Sequence, residues 1–220
     1  MDVSRSNKPL AALELLFLLT LPILNLNLLY VVIAVAATFV FKWLRKESWS
    51  YYGFRKPSYR QAMLAIAIGI TYGLADNFLI EPLLAKIIGS TPDLSAYEGI
   101  KDNVGGLLKM LALVWVVGAL FEEYFFRGYL FHRFRTLIEN PVAQKWIAIL
   151  STSLVFAIVH AYQGKAGIIS AFIFSVVLGL LFFFFKKNVW CVILVHGFFD
   201  TVGVMRLFLG YYNPHTVAYL

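Results

Sequence analysis

Cysteine occurs once in the 220 residues, at Cys191, so an internal disulfide is excluded. Cys191 stands in neither a C-x-x-C nor a C-x-x-C-H setting. It lies in an apolar run beside Trp190 and is expected to pack as a small hydrophobe. Charge is sparse too: Asp, Glu, Lys and Arg make up 14% of the chain, against about 25% in soluble domains. A water-soluble globule is thereby excluded. No Pro-rich or Gly/Ser-rich linker and no solenoid-length repeat interrupts the sequence, which leaves one integral membrane domain over residues 1–220. Four further patterns are absent. There is no H-E-x-x-H, no Gly-x-Ser-Gly, no Gly-x-Gly-Asp, and no glutamate with a histidine three residues on. Zincin-type, serine and aspartyl intramembrane hydrolysis and di-iron carboxylate chemistry lose their usual signatures with them.

What the chain has instead is apolar length. Hydrophobic residues account for 60% of it, in runs that approach the roughly 20 helical residues needed to cross a hydrocarbon core of about 30 Å. The run from Leu10 to Leu44 is too long for one span, and Pro22, Asn25 and Asn27 break it into two helices, the first short. Further spans are expected at about 61–80, ending before Glu81-Pro82, and at 107–129, 146–162, 168–185 and 190–209. Arg5 and Lys8 before an apolar stretch resemble a signal peptide, with Ala34-Val35-Ala36 as a cleavage-like site. The pattern nevertheless continues to the basic Lys42, Arg45 and Lys46, so a retained hairpin is expected.

The net charge of +7 does not point to nucleic acid, because the basic residues sit in short connections rather than on one helix face. They alternate as topology signals. Arg5, Lys8, then Arg45, Lys46, Arg55, Lys56, Arg60, then Arg133, Arg135, Lys145, then Lys186, Lys187 mark one side. The intervening loops carry Glu81, Asp93, Glu98 and Asp102. The expected architecture is therefore an all-α, multi-pass bundle of about seven spans with a cytoplasmic N-terminus, and Trp43, Trp49, Trp146 and Trp190 form an inner aromatic belt.

Ionisable residues inside such spans each cost about 2.5–3.5 kcal/mol on insertion scales and mark candidate sites. The fourth span holds Phe121-Glu122-Glu123-Tyr124-Phe125-Phe126-Arg127. Glu123 and Arg127 are one turn apart in the favourable order for an ion pair, and Glu122 lies about 100° away without that partner. The fifth span carries Phe156-x-x-x-His160 and the seventh His196-x-x-x-Asp200. Two chemistries suit this inventory. Glu122, helped by His160, can act as general base toward water while His196 stabilises an oxyanion. Alternatively Glu122, His160, His196 and Asp200 can hold Zn²⁺ and activate its water. Glu14 is expected to reach water at the inner surface, Asp76 and Asn77 to be capped or solvated at an outer end, and His132 and His215 to fall in loops. From the helix ends, Glu122 and His196 should lie about 10 Å from the inner surface but His160 about 20 Å.

Glu122-Glu123-x-x-x-Arg127, Phe156-x-x-x-His160 and His196-x-x-x-Asp200, in this order on separate helices, resemble the CPBP family of intramembrane proteases, over about residues 107–209. That family includes the type II CAAX prenyl endopeptidases and bacteriocin-immunity-associated proteins. The resemblance implies an endopeptidase of a prokaryotic cell membrane acting on a membrane-associated peptide or protein. It casts Glu122 as base, His160 as its helper and His196 with position 200 at the oxyanion, with Glu123, Arg127 and Phe156 in support. No cofactor is required unless the zinc route operates. Prenyl proteases carry asparagine where this chain has Asp200. Rival readings are a non-catalytic membrane binding or immunity protein using the same cavity, and a small ion or proton transporter.

Overall fold

The computed structural model describes residues 8–21 and 29–211, and every regular element among them is helical. Seven longer helices succeed one another: α1 (Lys8–Thr20), α2 (Leu29–Leu44), α3 (Tyr59–Ile88), α4 (Val104–Leu137), α5 (Pro141–Val159), α6 (Gly164–Phe184) and α7 (Val189–Phe208). Helices α3 to α7 are long and apolar enough to cross a bilayer, whereas α1 and α2, at 13 and 16 residues, reach only about 20–24 Å. The break expected at Pro22, Asn25 and Asn27, and residues Arg5 and His215, lie outside the described residues.

Helix starts follow side-chain caps, not the onset of apolar residues. Ser58 and Gln61 form a capping box for α3, and Asn103, Asn140 and Asn188 accept from the first free amides of α4, α5 and α7. With Pro141 preset in the first turn of α5, that helix begins five residues before the expected Trp146. Two ends also move. α3 runs through Glu81-Pro82 because one π-helical turn, Asp76–Ile80, precedes the proline. The wider turn relieves the clash between a proline ring and the carbonyl four residues back. α4 continues to Leu137, so His132 is a buried helical residue and not a loop residue.

The basic connections meet at one end. Lys8 pairs with Glu139, Arg55 donates to the carbonyl oxygens of Lys186 and Lys187, and the Val189 amide donates to Gly53 O. Glu14 is at this end but does not reach water. It is 3% exposed, accepts from Arg45 (2.7 Å) and the Tyr129 hydroxyl (2.7 Å), and lies 3.0 Å from Arg133 Nε. Burial of a carboxylate needs such partners, and they come from α4 and from the turn that follows α2. At the opposite end Asp93 N donates to Gln163 O and Asp102 N to Phe208 O, while Arg206 bonds Asn77 and Glu81.

Outward faces are apolar. Leu13, Leu16, Val32, Phe78, Leu79, Leu83, Ile87, Leu108 and Leu154 are all more than half exposed, a surface that suits lipid and not water. The packed interior runs between α4, α5, α6 and α7 through Phe126, Tyr129, Leu130, Ile149, Phe156, Leu178 and Val192. α3 seats against α7 at Gly69 and Gly73, where a Cβ would come within 2.5 Å of Val195 O and 2.9 Å of Val202 Cβ.

Candidate active site

The polar residues of α4 sit in a helix wound wider than usual, with π-helical turns over Val114–Glu122 and Tyr124–Leu130. Such turns disrupt the regular ladder and recur at functional sites. Glu123 is fully buried and its Oε1 accepts twice, from Arg127 Nη1 at 2.9 Å and from His196 Nδ1 at 2.8 Å on α7. Arg127, also fully buried, turns its other terminal nitrogen to α6, where Nη2 donates to the carbonyl and hydroxyl oxygens of Ser175 at 2.7 Å each. The expected Glu123–Arg127 pair is present, and it belongs to a longer chain that ties α4, α6 and α7 together.

His196 faces a second carboxylate, with Nε2 3.3 Å from Asp200 Oδ2 one turn on. Both ring nitrogens therefore point at carboxylate oxygens, and both can donate only in the doubly protonated ring. Phe174 stands edge-on to the imidazole at 4.9 Å. His160 is the residue at which α5 ends. Its Nδ1 lies 2.7 Å from Phe156 O, and its ring stacks on Phe156 at 4.5 Å. Because a carbonyl can only accept, Nδ1 carries the proton and Nε2 of the neutral ring is left as an acceptor.

Glu122 takes no part in these bonds. It is half-buried, accepts no hydrogen bond from any described residue, and lies within electrostatic range of His196, Asp200, Glu123 and Arg127. His160 is in range of the same His196 and Asp200. The four residues expected to form the site thus converge on one region. The depth mismatch expected between Glu122 and His160 narrows because α4 extends to Leu137 and α5 starts at Pro141. Counted from that turn, Glu122 and His160 stand about 22 and 28 Å along their helices, a smaller difference than the roughly 10 Å expected.

Three contributors were not anticipated. Ser175 carries no sequence signal, since a lone serine in an apolar helix is ordinary. Trp115 does carry one: an indole N–H in mid-span needs a partner, and it donates to Thr201 Oγ1 at 3.1 Å. Gly118 opens space beside the site, where a Cβ would stand 3.1 Å from Asp200 Oδ2. The zinc alternative fits poorly. Among the described residues no group of three or more His, Cys, Asp or Glu side chains is placed to hold a metal ion.

Residues 104–202 match the family model described as type II CAAX prenyl endopeptidase Rce1-like. Over that stretch the chain is similar to the CPBP family of intramembrane proteases, to which the type II CAAX prenyl endopeptidases belong. The match runs from the start of α4 into α7 and takes in every residue of the site, while α1 to α3 lie outside it. That family is one of hydrolases that cut peptides or proteins, and the matched core sits in an integral membrane bundle. No curated protein and no solved structure is significantly similar to the chain.

Proposed function

We propose that the protein is an intramembrane endopeptidase that hydrolyses a peptide bond of a membrane-associated peptide or protein with water activated by Glu122 and His160. The observation that carries this reading is the division of labour between the paired glutamates. Glu123 is spent on Arg127 and His196, and Glu122 is left without a donor in range of His196 and Asp200, the two groups that His160 also faces. A base must have a free lone pair within reach of water.

In the proposed reaction His160 Nε2 accepts from the water and helps to hold it. Glu122 takes one of its protons as the oxygen attacks the carbonyl carbon. His196, braced on Nδ1 by Glu123, shares its Nε2–H between Asp200 and the carbonyl oxygen as charge develops there. Collapse of the tetrahedral intermediate breaks the C–N bond, and Glu122 returns its proton to the leaving amine. Asp200 serves to orient His196, the role for which it has a contact. Phe156 supports His160 from beneath. Aspartate in place of the asparagine of prenyl proteases agrees with a prokaryotic cell-membrane member of the family.

Glu122→Gln removes the base and keeps the shape, so cleavage should fall by at least about 100-fold, the lower range of general-base effects, with an unchanged unfolding midpoint. Peptides that accumulate in membranes carrying Glu122→Gln, but not the unaltered protein, supply the substrate for that assay. Cleavage at the original rate by correctly inserted Glu122→Gln would remove Glu122 as base.

A further inference from the structure

At the basic end of the bundle a cavity of about 220 Å³ lies between the turn at Trp49–Tyr52, the last turns of α4 and the α6–α7 connection. Arg55, Arg135, Lys186 and Lys187 line it, Arg127 and the buried Gln144 contribute to its wall, and no Asp or Glu does. A bias for positive residues on one side of a membrane requires only that they be on that side, where they are free to spread. Here they gather around one hollow. Arg135 lies within electrostatic range of Lys187, and burial together with that neighbour holds the Lys187 ammonium below its ordinary range.

The backbone is shaped to the same end. Lys186 and Lys187 both adopt left-handed conformations, with φ of 54° and 61°, which residues bearing a Cβ resist by roughly 1–2 kcal/mol each. Arg55 Nη2 braces this turn by donating to both of their carbonyl oxygens, at 2.5 and 3.3 Å. Apolar surface adjoins the hollow. Phe182 and Phe183 line it, and Phe184, Trp146 and Ile147 beside them are exposed toward the lipid.

We propose that this cavity binds the phosphate headgroup of an anionic phospholipid, whose acyl chains lie along the exposed apolar faces of α5 and α6. Converging cations without a counter-carboxylate in the lining select a phosphate, their place at the interfacial level of a basic-sided bundle selects a lipid, and the exposed Phe184, Trp146 and Ile147 offer the chains apolar surface. Nothing in the proposal depends on the protease reading, and neither does its test.

The full chain in a neutral detergent is titrated at constant ionic strength with dihexanoyl phosphatidylglycerol, dihexanoyl phosphatidylcholine or sodium phosphate, and its unfolding midpoint is followed. Phosphatidylglycerol should raise the midpoint saturably and the other two should not. Lys186→Asn with Lys187→Asn, which keeps residues tolerant of the left-handed turn, should raise the half-saturating concentration by about tenfold or more, each charge near the surface being worth about a factor of five. If that pair does not fold, Arg135→Gln at an exposed position should weaken binding by about fivefold. Lys56→Gln with Arg60→Gln removes equal charge outside the cavity and should leave binding unaltered. Equal loss in that control, equal stabilisation by sodium phosphate, or no response to phosphatidylglycerol would each overturn the assignment.

Discussion

Glu122 and Glu123 are neighbours in sequence with opposite surroundings. Glu123 sits at a junction of donors, between Arg127 on its own helix and His196 on α7. Removing it leaves a buried guanidinium without its carboxylate, a loss of about 3–5 kcal/mol for pairs of this kind. Glu123→Ala should therefore lower the unfolding free energy of the detergent-solubilised protein by that amount, and Glu122→Ala by much less. Should Glu122→Ala prove the more destabilising, the partners have been assigned the wrong way round. The spacing Glu123-x-x-x-Arg127 makes half of this legible, because two residues four apart on one helix share a face and meet. The other half, His196 and Ser175, comes from helices distant in sequence, and no periodicity announces it.

At the scale of elements, the helices were readable as apolar runs, but their ends were not. Caps decide the starts: Ser58, Asn103, Asn140 and Asn188 precede the apolar residues by a few positions, and a hydropathy reading passes over them. Wide turns decide the interior, letting α3 absorb Pro82 and letting α4 carry its site residues through Val114–Leu130. The helix contacts also depend on glycines whose purpose shows only in three dimensions. A Cβ at Gly197 would come within 2.6 Å of the Trp115 ring, which already donates to Thr201. Gly197→Ala must push that ring aside and is expected to cost about 1–3 kcal/mol, in the range of overpacked cores. Thermal unfolding should show the loss. Because α4 and α7 are the helices forced apart, cleavage should fall with it even though position 197 bears no reacting group.

For the whole molecule, the single buried Cys191 makes sidedness testable. Its thiol should be silent to a membrane-impermeant maleimide in the folded protein. Cysteines introduced at Lys56 and Lys186, on the basic end, should then be labelled from one side and a cysteine at Ser95 from the other. Labelling of all three from one side would overturn the alternating topology. Composition and the order of the motifs were enough to establish a multi-pass helical bundle and a polar cluster drawn from three helices, because burying ionisable groups singly in lipid is too unfavourable. The same local information placed Glu14 in water and His132 in a loop. Both are buried, since Tyr129, Arg45 and Arg133 close over the first and the extension of α4 carries the second inward. What only the tertiary structure decided is which side chains meet: that Glu123 holds His196, that Ser175 anchors Arg127, and that four cations far apart in the chain surround one hollow. Those pairings depend on the angles and heights at which helices pack, and a linear pattern of apolar and polar residues does not contain them.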